Sequence, residues 1–118
     1  MPGVESELDV SRLAELETLL GTELAAIVGT LLTELTSAVE GIERGLETGD
    51  LAQVASAAHA ARNSALMIDA QPLLRVLSRL ESCARNGERE GATAAAGRLR
   101  SVWPRLRLRL EQAAASGD

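Results

Sequence analysis

The chain has 118 residues, 46% of them apolar and only 1% aromatic, with a formal charge of −5 and one cysteine. That length supports one core and not two, and the core must be built from Leu, Val, Ile and Ala. A lone Cys83 excludes an internal disulfide and a cysteine-built metal site.

The start, MPGVESELD, has neither a basic nor an apolar leader segment, and no apolar run approaches the ~20 residues of a membrane span. The expected setting is therefore the cytoplasm, away from any membrane. The charge is unevenly placed. Residues 1–50 hold eleven Asp/Glu against two Arg, and residues 51–118 hold ten Arg against six Asp/Glu. Attraction between the two halves and solvation of both are equally open readings.

The apolar spacing is helical almost throughout. Asp9 or Ser11 caps a short first helix presenting Leu13, Leu16, Leu19 and Leu20, and Gly21 breaks it. Thr22 is the expected cap of a long second helix. Its stripe of Leu24, Ile27, Val28, Leu31, Leu32, Leu35, Val39, Ile42 and Leu46 recurs every three or four residues. Gly29, Gly41 and Gly45 interrupt that helix, either to permit close packing or on its outer side.

Thr48-Gly49-Asp50 reads as stop, turn and new cap, opening a third helix from Leu51 to about Met67. Asp69 to Pro72 is the next turn. The fourth helix carries Leu73, Val76, Leu77, Leu80 and Ala84 and ends at Asn86-Gly87. A fifth starts near Glu88 and carries Ala92, Ala95, Ala96, Leu99, Val102, Leu106 and Leu110. Pro104 is expected to kink or interrupt it. The tail from Ala113 is expected to fray. The fold class is all-α: an antiparallel four-helix bundle with a short additional N-terminal helix, one domain over 1–118 with its core at about 8–112.

Helical geometry places the only histidine. At about 100° per residue, Val54, Ala58, Ala61 and Ala65 cluster on one side of the third helix, and His59 lies roughly 120° from their centre. His59 therefore faces outward, with Arg62 one turn later and Asn63 alongside. An exposed imidazole beside a guanidinium suits phosphoryl chemistry, because neutral imidazole is a nucleophile near pH 7 and Arg stabilises added negative charge. A bland surface histidine satisfies the same pattern.

The stretch Ala58-His59-Ala60-Ala61-Arg62-Asn63-Ser64-Ala65, followed by Ile68-Asp69-Ala70, resembles the signature of histidine-containing phosphotransfer domains. Leu8-Asp9, Gly49-Asp50, Leu80-Glu81 and Ala84-Arg85 resemble its flanks, so the likeness runs from about Leu8 to Glu111. It implies that His59 accepts the phosphoryl group, that Arg62 stands for the usual lysine and stabilises its charge, and that Asn63 is a supporting or docking residue. Asn63 and Asp69 replace family glycines, and Ala61 replaces a larger apolar residue.

The resemblance also implies partners: receiver domains of a hybrid histidine kinase and of a response regulator. Mg²⁺ is then expected in the receiver and no cofactor or metal in this chain. The protein would be a monomeric carrier and not an enzyme, since no nucleotide-binding glycine loop is present. Leu66, Arg75 and Arg79 are weaker candidates for the receiver contact. Cys83 and Trp103 read as packing residues. The alternative is a related helical adaptor that binds partners without phosphotransfer. Nucleic-acid binding through the late arginines is disfavoured by overall acidity and the lack of interleaved aromatics.

Overall fold

The computed structural model describes residues 11–115, and Leu8, Asp9 and the last three residues lie outside them. Among the described residues there are five helices and no strand: α1 (Ser11–Leu20), α2 (Glu23–Thr48), α3 (Leu51–Met67), α4 (Gln71–Arg85) and α5 (Arg89–Ala115). Helix α3 packs on α2 and α4, α4 on α5, and α5 back on α2, so four helices form a closed ring of neighbours. Helix α1 touches the ring more lightly, through α2. It anchors by Leu13, which is fully buried, and by a 2.7 Å ion pair from Glu17 to Arg109 of α5.

The breaks between helices follow from local chemistry. Gly21 takes a left-handed φ of 55° between α1 and α2, while Thr22 remains helical and makes no side-chain cap, contrary to the expected role. Gly49 ends α2 with φ 74°, a conformation that costs a β-carbon-bearing residue more. Asp50 then caps α3 by accepting from the Gln53 N–H at 3.1 Å. Asp69 adopts φ 51° in the α3–α4 turn, doing with a short polar side chain what glycine does more easily. Its carboxylate accepts a hydrogen bond from the Gln71 side chain.

The predicted stripe of α2 is buried at Leu24, Val28, Leu31, Leu35 and Ile42, while Leu32, Val39 and Leu46 are half-buried and Ile27 is exposed. Each fully buried leucine contributes roughly 1.5–3 kcal/mol relative to exposure. Gly41 and Gly45 are also buried in this face. A β-carbon on Gly45 would lie 2.7 Å from Val54 Cγ2 and 3.0 Å from the Asp50 carbonyl, so glycine lets α2 and α3 close together. Gly29 faces open space.

Two expectations for α5 are corrected. Pro104 does not interrupt it: the helix is continuous from Arg89 to Ala115, with Pro104 exposed inside it. Burial of Val102, Trp103, Leu106 and Leu110 on either side offsets the lost backbone bond. The tail is not frayed at Ala113 to Ala115, because Ala113 is buried and holds the last turn against the core. The Arg–Leu alternation of residues 105–110 resolves as a helix, with Leu106 and Leu110 buried and Leu108 turned out at 57% exposure. Arg100 clasps Glu43 of α2 through two hydrogen bonds of 2.9 and 2.6 Å. Basic late residues thus meet acidic early ones.

Candidate functional site

Helix α3 is poor in large side chains, and this shapes the site. Val54, Ala58, Ala61 and Ala65 are all buried, as the helical arithmetic predicts, and His59 projects with 54% of its side chain exposed. Small residues on the buried face let α4 come close enough for a side chain there to reach the imidazole. That side chain is Glu81, only 8% exposed and set beside Leu77, Leu80 and Ala84 in the apolar stripe of α4.

Glu81 gathers three side chains. His59 Nδ1 lies 3.1 Å from Glu81 Oε2. Arg62 Nη1 donates to Oε1 at 2.6 Å, and Arg85 donates to Oε2 through Nε at 2.9 Å and Nη2 at 2.6 Å. Burial alone would raise the carboxyl pKa, but hydrogen bonds from Arg62, Arg85 and His59 overcome it and lower the value from 4.5 to about 2. Glu81 is therefore ionised at neutral pH and can only accept. The proton of the Glu81–His59 bond must then sit on Nδ1, which leaves Nε2 of a neutral imidazole with its lone pair free.

The imidazole lines an open groove of about 510 Å³ between α3 and α4, walled by Ala52, Ala55, Ser56, Ala84 and Arg85. Alanines and a serine give an approaching surface little to clash with. Arg85 belongs to this groove and also to a smaller one beside it with Arg62 and Glu81. Arg62 is 36% exposed, and its Nε is buried without a partner among the described residues.

The residues singled out in the sequence separate into distinct places. Asn63 is exposed in the neighbouring groove between α2 and α3, near Glu34, Ser64 and Met67, and not in the groove that His59 lines. Ser64 is buried and donates to Glu34 at 3.3 Å. Leu66 is exposed. Arg75 and Arg79 line a groove between α4 and α5. Cys83 and Trp103 are buried, as packing residues should be.

Glu81 and Arg85 appeared in the sequence only as flanking similarity. A charge interrupting the Leu77–Leu80–Ala84 stripe was the signal that Glu81 has a partner, since a buried carboxylate without one is costly. Among the described residues no group of three or more His, Cys, Asp or Glu is placed to hold a metal ion.

Comparison with known proteins agrees with this geometry. A family model described as the Hpt domain matches residues 26–116, from early in α2 to the end of α5, with α1 outside the match. No curated protein and no solved structure gives a significant match. With most of its length matched, the chain belongs to the Hpt domain family, the histidine phosphocarriers that exchange phosphoryl groups with receiver domains in two-component systems.

Proposed function

We propose that this protein is a phosphorelay intermediate in which Nε2 of His59 carries the phosphoryl group. The observation that carries the reading is the 3.1 Å contact between His59 Nδ1 and a buried, ionised Glu81. Nε2 attacks the phosphorus of a receiver's phosphoaspartate; the N–P bond forms as the P–O bond breaks, and the receiver's carboxylate leaves with the electron pair. Nδ1 keeps its proton, so the ring remains hydrogen-bonded to Glu81 throughout. Transfer to a response-regulator aspartate is the reverse of this step.

Such chemistry needs alignment and charge stabilisation more than covalent assistance. Arg85 is the guanidinium in the groove with His59, and we assign it to the incoming phosphoryl oxygens. Arg62 supports it by balancing Glu81, a narrower role than direct charge stabilisation. Asn63 serves docking from the α2–α3 side. Mg²⁺ belongs to the receiver.

The two- and three-residue connections between long, mutually packed helices support an antiparallel bundle, with α1 as an appendage. The unit acts as a single monomeric domain of the cytoplasm, without kinase activity of its own. Contrary to the expectation that no segment approaches a membrane span, helix α2 is long and apolar enough to cross one, but much of its apolar stripe lies against the rest of the bundle.

The test is incubation with phosphorylated receiver domains and Mg²⁺, followed by intact mass. The wild type gains one acid-labile phosphate and His59→Gln gains none. No phosphate from any receiver of the host would overturn the carrier reading and leave a partner-binding adaptor.

A further inference from the structure

Arg75 and Arg79 of α4 and Arg98 of α5 converge on one groove of about 190 Å³, whose remaining lining is Pro72, Val76 and Ala95. All three arginines are exposed, and none has a hydrogen-bond or carboxylate partner among the described residues. Most other arginines are matched, and Arg44 and Arg89, which also lack a carboxylate partner among the described residues, do not line this groove. Arg62 and Arg85 hold Glu81, Arg100 holds Glu43, Arg107 holds Glu111 and Arg109 holds Glu17. Two helices therefore bring three unmatched positive charges together over an apolar floor, in a chain whose net charge is −5.

We propose that the α4–α5 groove is a docking site for an acidic segment of a partner protein, one that carries carboxylates beside short aliphatic side chains. Guanidinium groups take carboxylates in paired hydrogen bonds, and the proline, valine and alanine floor takes the aliphatic part. Charge complementarity selects this occupant. A long nucleic-acid chain would meet the net negative charge of the rest of the surface, and the only aromatic, Trp103, is buried and cannot stack on bases. A small inorganic anion would leave the apolar floor uncovered.

The site is separate from the His59 groove, since Glu81 and Arg85 lie on the side of α4 that meets His59 and Arg62 of α3. A segment seated there leaves the imidazole open, and so adds a second point of attachment that raises the effective concentration of the right partner.

The test is fluorescence anisotropy at about 0.15 M salt, where weak long-range attraction is screened. The probe is a fluorescein-labelled eight-residue peptide alternating Glu and Val, with a Gln-for-Glu peptide as control. The wild type is expected to bind the acidic peptide saturably and the control at least tenfold more weakly. Arg79→Glu/Arg98→Glu, confirmed folded by circular dichroism, is expected to lose at least tenfold. Arg44→Glu, a charge reversal on α2, is expected to bind within about twofold of wild type.

No saturable binding, equal loss in Arg44→Glu, or full retention in the double variant would overturn the proposal. So would displacement of the peptide by equimolar inorganic phosphate, or tighter binding of a single-stranded oligonucleotide. The assay uses no phosphorylated receiver, so its failure leaves the phosphocarrier reading untouched.

Discussion

Replacing Glu81 with Gln keeps the shape of the buried side chain and removes its charge. The folded carboxyl titrates at about 2 against an ordinary 4.5. A folded pKa below the unfolded one means that the unfolded chain binds more protons, so the contribution to stability is full above pH ~4.5 and is lost as pH falls towards 2. At roughly 1.4 kcal/mol per pH unit, the difference comes to about 3 kcal/mol at neutral pH. His59, Arg62 and Arg85 are each more than a third exposed, and solvent screening of these partners reduces the expected value to about 2 kcal/mol. At pH 2.5 the same carboxyl retains under about 1 kcal/mol. Urea denaturation of wild type and Glu81→Gln at pH 7 and pH 2.5 reads this directly, because the other carboxylates cancel between the two proteins. The gap between them should shrink by more than half on acidification. An equal gap at both pH values would refute the idea that an ionised Glu81 holds the α3–α4 pair together.

Gly45→Ala places a β-carbon 2.7 Å from Val54 Cγ2 and should destabilise by about 1–3 kcal/mol, whereas Gly29→Ala meets nothing and should stabilise by roughly 0.5–1 kcal/mol; thermal melts of the pair check the opposite signs. Pro104→Ala restores a backbone donor in an exposed stretch of continuous helix and should raise stability by up to about 3 kcal/mol, seen as a shifted denaturation midpoint. Arg85→Gln should slow phosphoryl acceptance by roughly tenfold or more, the worth of a charge-assisted hydrogen bond, in a single-turnover transfer assay; an unchanged rate would remove Arg85 from the reaction.

Much of the fold was legible because α2, α3 and α4 each announce themselves twice, by an apolar period and by a boundary residue. Asp50 and Gly49 mark the entry to α3 unambiguously, and the outward turn of His59 follows from four small apolar residues alone. Thr22 misled because a residue with capping chemistry also sits comfortably inside a helical turn when the preceding glycine makes the bend. Pro104 does not interrupt α5 because Trp103 and Leu106 beside it are buried, a tertiary effect that local propensity does not report.

The site was only half visible. His59 and Arg62 lie on one helix, so their neighbourhood is set by local geometry. Glu81 and Arg85 reach them from another helix, and no periodicity within α3 reports that approach. Asn63 shares a helix face with His59 yet opens onto a different groove, because α2 and α4 flank α3 on opposite sides.

The account rests on Glu81 fixing the proton of His59 on Nδ1, and the position of the phosphoryl group tests this most directly. Long-range ¹H–¹⁵N correlation spectra of the phosphorylated protein distinguish the two ring nitrogens. The arrangement predicts phosphorus on Nε2 with Nδ1 still protonated. Phosphorus on Nδ1, or on any residue other than His59, would contradict it.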